Sequence, residues 1–316
     1  LGESILNGTI VMILITCTIA SFITQKGASN IALKEATTED EEEKKDIDER
    51  ILIPINRAES VESLIDLSVT IKSKKKTSTL FGLNIVNNKV HDESLEKNAQ
   101  KILEKAAIAA SSTDHHLKQL LRYDINIVNG IMSVVKEHKI TDLILGLHEQ
   151  KGFSKSFLGN LTEGILMECN TTTLIYKSIQ PLSTIKRHLI IVPDKAEREI
   201  GFPFWLIKVW NIAKNTGTSL VFYANKQSIN YIKGVQSKYP IACSFIEFEE
   251  WKDFLIIARD VRVDDNLIIV LSRKDKPSFN PTMLDIPIYL NKYFQENSFI
   301  LIYPIQLGVG NTGNND

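Results

Sequence analysis

From residue 50 onward the chain alternates short, continuous apolar runs with amphipathic stretches, and it passes through that alternation twice. The first pass reads "ILIPI" at 51–55, an amphipathic stretch at 62–71, "TLFGLNIV" at 79–86, and helical apolar spacing from Leu95 to Ala110. It continues with "DINIV" at 124–128, a helical stretch through Ile131, Val134, Val135 and His138, "DLILGL" at 142–147, and "TTLIYK" at 172–177. An apolar run without alternation suits a strand buried on both faces of a parallel sheet. Strands separated by helices imply βαβ crossovers, hence an α/β fold with a parallel sheet flanked by helices. The third strand is expected at 124–128.

The second pass echoes the first. "RHLIIVP" at 187–193 repeats the character of "RILIPI" at 50–55, "DNLIIVL" at 265–271 that of "TDLILGL" at 141–147, and "ILIYPIQ" at 300–306 that of "TLIYKSIQ" at 173–180. Three matches in one order indicate a tandem duplication. The expected organisation is a transmembrane helix at 1–26, a charged linker at 27–49, a first domain at 50–180, a second at 181–306 and a tail at 307–316.

Composition narrows the function classes. The 316 residues carry a formal net charge of -1, which lends nothing to nucleic-acid binding. The three cysteines, Cys17, Cys169 and Cys243, form no CxxC pair, and the adjacent His115 and His116 lack ligand spacing. No metal site is therefore expected. No P-loop, HExxH or nucleophile motif is present either, so no catalytic residue is assigned and the chain does not read as an enzyme. The lysine run at 72–76 reads as a solvated helix end or a contact with anionic headgroups.

The N-terminal stretch "NGTIVMILITCTIASFIT" at 7–24 contains no charge and matches the roughly 20 residues a spanning helix needs. It lacks the basic flank of a signal peptide. Thr16, Ala20 and Thr24, with Cys17 and Ser21, line one face with small residues, which suits packing among other spans better than a lone anchor. The sequence opens on Leu1, and it reads as the C-terminal part of a longer protein. Residues 35–50 are almost all charged and read as a tether.

Between the fourth strand and the next helix lies "GLHEQKGFSKSFLGN" at 146–160. It sits at the C-terminal sheet edge, where open α/β sheets bind ligands. Glycines there admit close backbone approach to an anion, and a helix N-terminus adds a favourable dipole. With the tandem αβ units, this loop resembles the universal stress protein family, whose nucleotide-binding members carry Gly-x2-Gly-x9-Gly-Ser/Thr. Gly146 and Gly159 take the first and third glycine positions, Glu149 the second and Asn160 the Ser/Thr position. Asn56 stands where those members carry an Asp at the end of the first strand. The resemblance implies two tandem universal stress protein-like domains after one transmembrane helix. In the family's dimers the last strand commonly lies at the sheet edge and pairs with its counterpart, which covers backbone groups that an open edge leaves unpaired. The resemblance therefore implies that the last strands of the two copies pair, with Tyr176 and Tyr303 near the shared interface and Pro304 shortening the pairing by a missing donor. It also implies a site for an adenine nucleotide, ATP or AMP, or another anion, in the first copy. Asn56, Gly146, His148, Glu149, Lys151, Gly152, Gly159 and Asn160 would line it. A Glu149 carboxylate would repel phosphates, with His148, Lys151 and Lys155 offsetting it, so a loop that has lost its ligand stays open beside one that keeps it. The second copy, "LSRKDKPSFNPTML", has no glycine and is expected to have lost the site.

The stretch "LNGTIVMILITCTIASFITQKGASNIAL" resembles the last membrane helix and exit segment of bacterial sodium/proton antiporters of the cation:proton antiporter superfamily. Some of these carry a cytoplasmic tandem of stress-protein domains after it. The resemblance implies a cytoplasmic regulatory region at the inner cell membrane, partnered by the other transmembrane helices and a homodimer through the transporter. No transport carboxylate is carried over, because the span holds no acidic residue. The alternative is a membrane-anchored nucleotide sensor of the stress-protein type.

Overall fold

The computed structural model describes residues 48–73, 78–87, 93–147, 158–274 and 276–306. The run at 7–24, most of the charged tether and the tail lie outside them. Among the described residues no helix is long and apolar enough to cross a membrane.

The first half runs β1 (Glu49–Pro54), α1 (Val61–Ile71), β2 (Ser78–Val86), α2 (Glu93–Ser111) and β3 (Leu117–Tyr123). It continues through α3 (Ile127–Glu137), β4 (Asp142–Gly146), α4 (Gly159–Glu168) and β5 (Thr172–Lys177). The second half opens with β6 (Arg187–Ile191), α5 (Phe202–Thr216), β7 (Ser219–Ala224), α6 (Lys226–Lys238) and β8 (Cys243–Glu247). A 3-10 segment (Trp251–Arg259) takes the place of a fourth crossover α-helix, and β9 (Asp265–Val270), α7 (Ile286–Tyr293) and β10 (Ser298–Tyr303) follow.

The ten strands among the described residues form one sheet, in the order β3-β2-β1-β4-β5-β10-β9-β6-β7-β8. Each half has its own strands in the order 3-2-1-4-5, parallel throughout. The halves meet antiparallel through β5 and β10, from Lys177↔Phe299 to Thr173↔Tyr303. The expected pairing of the last strands is therefore present, and it stops short of Pro304, which cannot donate. Every residue of β5 is buried, as are all of β10 but Tyr303, because this joint is the centre of the sheet.

One face of the sheet packs under α1, α2, α5 and α6, and the other under α3, α4, the 251–259 segment and α7. Across the joint α5 lies against α1. Asn211 donates to Ile71 O (3.0 Å), and Asn215 to Thr70 O (2.8 Å) and Lys72 O (3.2 Å). These amides satisfy carbonyls that the end of α1 leaves without intrahelical partners. One turn back, Lys208 reaches Glu49 (2.7 Å) and Asp142 (3.0 Å), all three buried. Burial works against the Lys208 ammonium, and the two carboxylates more than reverse it, so Lys208 lies above the ordinary lysine range. Glu49, read from sequence as the end of the charged linker, is thus the first residue of β1 and part of the core.

The third strand is a correction. Residues 124–128 turn into a helix start: Asp124 accepts from Asn126 N (2.8 Å), and the Asn126 side chain caps α3 by accepting from Val128 N (3.0 Å). The strand is Leu117–Tyr123, an edge strand with exposed Lys118 and Gln119. An edge strand is wetted on one side, and its polar residues hide it from a search for apolar runs.

Candidate functional site

In a sheet of order 3-2-1-4-5 the chain reverses direction of progress between strands 1 and 4, and the crevice beyond their C-terminal ends is the fold's ligand position. The two halves run antiparallel, so their crevices lie at opposite edges of the common sheet.

In the first half the paired stretch leading to that crevice is short. The β1/β4 ladder holds only Ile51↔Asp142 and Leu52↔Leu143. Ile55 N donates to Leu83 O on β2 (2.8 Å), so the preceding residue turns its nitrogen toward β4. That residue is Pro54, which has no N–H to give. In the second half Val192 N donates to Tyr223 O (2.9 Å) in the same way, and the residue before it is Ile191. There the β6/β9 ladder runs unbroken from Arg187↔Asp265 to Ile191↔Ile269. Pro54 thus removes the donor that would extend the first ladder, where Ile191 keeps it in the second.

At the exit of β1, buried Asn84 donates to Ile55 O (2.7 Å) and fixes the strand end. Asn56 follows, exposed, and lines an open pocket of about 380 Å³ with Arg57, Ala58, Glu59, Asn98 and Ile102. Lys105 on α2 donates to Ala58 O (3.0 Å) and pairs with Glu62 (3.1 Å). Gly146 ends β4, and Leu147 N donates to Tyr176 O (2.8 Å). Gly159 starts α4 with φ +79, a left-handed conformation that suits glycine, and a Cβ there would meet nothing within 4 Å. The glycine is thus required by backbone shape and not by crowding. Asn160 follows it, exposed in the first turn of α4.

The structure therefore puts Asn56 and Gly146 at the ends of neighbouring strands, and Gly159 and Asn160 at the start of the helix that follows β4. His148, Glu149, Lys151 and Gly152 lie outside the described residues. What the described part offers is backbone N–H, amide and helix-terminal dipole, a chemistry for holding an anion. A second open pocket, of about 440 Å³, lies at the joint between Leu147, Lys177, Ser178, Ile179, Asn291 and Gln295.

The second half presents a different end. Glu199, in the turn before α5, is buried, and its Oε1 accepts from Ser272 Oγ (2.8 Å), Ser278 N (3.3 Å) and Ser278 Oγ. Arg273, between those serines, reaches the first half by donating to Leu166 O and Thr171 O. Burial pulls the Arg273 guanidinium down, opposed by Cys169, Tyr303 and Glu199. Sequence reasoning missed Glu199, Ser272, Arg273 and Ser278. The visible signal was the loss of every glycine from this loop.

No family model matches the chain, and no curated protein matches it. Solved structures do. A universal stress protein from Archaeoglobus fulgidus DSM 4304 matches with a TM-score of 0.55 at 12% identity, over 80% of this chain and 97% of that one. The cytoplasmic domain of a prokaryotic cation chloride cotransporter matches with 0.54 at 14% identity, over 81% and 95%. A functionally unknown protein from Pseudomonas aeruginosa PAO1 matches with 0.53 at 15% identity, over 81% and 92%. The chain thus has the α/β fold of universal stress protein-like domains, a mostly parallel sheet flanked by helices.

Proposed function

We propose that the chain is the C-terminal cytoplasmic regulatory region of a monovalent cation (sodium)/proton antiporter, without the transport site itself. The observation that carries this reading is the ten-stranded double unit, a fold it has in common with the cytoplasmic domain of a cation chloride cotransporter. The uncharged run at 7–24 and the charged tether before β1 supply the arrangement of span, linker and paired domains. In this reading the run lies in the inner cell membrane against the other transmembrane helices, and the soluble part serves a homodimer of the transporter. Its role is regulatory or structural, not catalytic. The crevice between β1 and β4 takes an adenine nucleotide or another anion as the signal. Membranes from cells expressing the full chain, washed at alkaline pH, test the anchor. The chain is expected in the pellet, and its release into the wash contradicts the reading.

A second reading, a membrane-anchored nucleotide sensor that works without a transporter, is favoured by the same crevice. Purification of the native protein from gently solubilised membranes, with mass spectrometry of the polypeptide, separates the two. A polypeptide that carries this sequence behind further transmembrane helices supports the first, and one without them supports the second.

A further inference from the structure

We propose that Glu199 is a built-in anion occupying the second half's ligand position, and that the loop it holds braces the first half's helix α4 through Arg273. This goes beyond the regulatory reading and does not depend on it. The donors on Glu199 Oε1 are two serine hydroxyls and a backbone N–H, from both ends of the turn that follows β9. Converging hydroxyl and main-chain donors at that sheet edge are the donor set of an oxyanion site. The acceptor comes from the turn after β6, on the other side of the switch point. Its side chain therefore crosses the crevice and closes it above the continuous β6/β9 ladder. Glu199, Ser272 and Ser278 are all buried, so the occupant does not exchange with solvent as a surface ion would.

The held loop has a second use. Arg273 follows Ser272 directly, and its guanidinium donates to Leu166 O in the last turn of α4 and to Thr171 O (3.5 Å) just before β5. A cation at a helix C-terminus meets the negative end of the helix dipole. The other end of α4 begins at Gly159, in the connection that follows β4 of the first half. One half, kept permanently filled, thereby sets the position of a helix that borders the other half's site.

Amide hydrogen exchange on the full chain in detergent tests this without reading nucleotide binding or membrane topology. In Glu199→Ala, exchange should quicken about tenfold or more, as for a lost charged hydrogen bond, at 271–274 and 276–280 and also at 165–171. Millimolar inorganic phosphate should slow 271–274 and 276–280 again in the variant and leave that loop of the parent unchanged. Arg273→Ala should quicken 165–171 alone. Should Glu199→Ala fail to fold, Glu199→Gln, which keeps an acceptor but not the charge, and Arg273→Ala carry the same readout. Quickening confined to the loop overturns the brace. Loop quickening that phosphate does not reverse, or a parent loop that phosphate alters, overturns the built-in anion.

Discussion

Tyr176 and Tyr303, one on each central strand, point to opposite faces of the sheet. Tyr176 lies opposite Ile300 and joins the layer under α1 and α5, whereas Tyr303 lies opposite Thr173 and packs toward α3, α4 and α7. Directly paired residues of an antiparallel ladder share a face, so the structural counterpart of Tyr176 is Ile302 and not Tyr303. The repeated "LIY" of the two strands is offset by one residue in space, and one residue of offset exchanges faces. Burial holds both phenols high, at about 12.

This register predicts a crosslink. Cysteines at Thr173 and Tyr303 should form a disulfide on mild oxidation, since paired positions fall within bridging distance. Cysteines at Lys177 and Pro304 should not, because Lys177 pairs with Phe299 and Pro304 lies five residues further on, about 17 Å along the strand. Non-reducing electrophoresis distinguishes the pairs, and a bridge from the second pair alone would contradict the register.

Lys208 should be the most sensitive single position at the joint. Lys208→Met leaves Glu49 and Asp142 facing each other in the core without their cation. Removing one partner of a buried ion pair costs about 3–5 kcal/mol. Adding Asp142→Asn, which copies the Asn266 of the second half, should recover part of the loss. Urea unfolding of both variants checks this, and a Lys208→Met chain as stable as the parent would remove the cluster from the account.

His188 sets an acid limit. It is fully buried on β6 with Asn266 at 3.0 Å from Nδ1, its Nε2 has no partner among the described residues, and burial holds it at about 4. Between pH 6.5 and 4 the unfolded chain takes up a proton that the folded chain refuses, so stability falls as pH drops. The full loss is about 3 kcal/mol, at 1.36 kcal/mol per unit. His188→Leu should flatten that part of the stability curve, and an unchanged slope would mean that other groups cause it.

Gly201 is required by crowding. A Cβ there would stand 2.4 Å from Pro304 Cβ and 2.7 Å from Ile305 O, where the chain leaving β10 crosses the start of α5. Its φ of -70 is ordinary, so the cost of Gly201→Ala is overpacking alone, about 1–3 kcal/mol. Thermal unfolding reads it, and an unshifted midpoint would show that the crossing segment gives way freely.

The buried strands were legible because burial on both faces leaves uninterrupted apolar runs, and "TTLIYK" coincides with β5 from end to end. The β5/β10 joint was legible through the resemblance to stress-protein dimers, with the covering of open edges as its physical reason. The polar edge strand β3 was not, nor was the facing of the tyrosines, since an echo of letters carries no register. Gly146 and Gly159 were singled out through the spacing of the family's motif, and they lie at the end of β4 and the start of α4. Glu199 with Ser272 and Ser278 was not, because those contacts join residues 73 and 79 apart through tertiary folding alone. The effect of Pro54 was hidden as well, for it depends on which neighbour its nitrogen faces.

The central claim is that one crevice of the pair is open to a ligand and the other is filled from within. Titration calorimetry of ATP and AMP into the full chain, solubilised in detergent, tests it most directly. The account predicts one nucleotide per chain at millimolar concentration or tighter. Gly159→Val should weaken binding, since φ +79 strains a β-branched residue, and Glu149→Gly should strengthen it by removing a carboxylate from the loop. Two nucleotides per chain would contradict the filled second crevice. No heat from the parent or from Glu149→Gly at millimolar nucleotide would contradict a nucleotide site in the first.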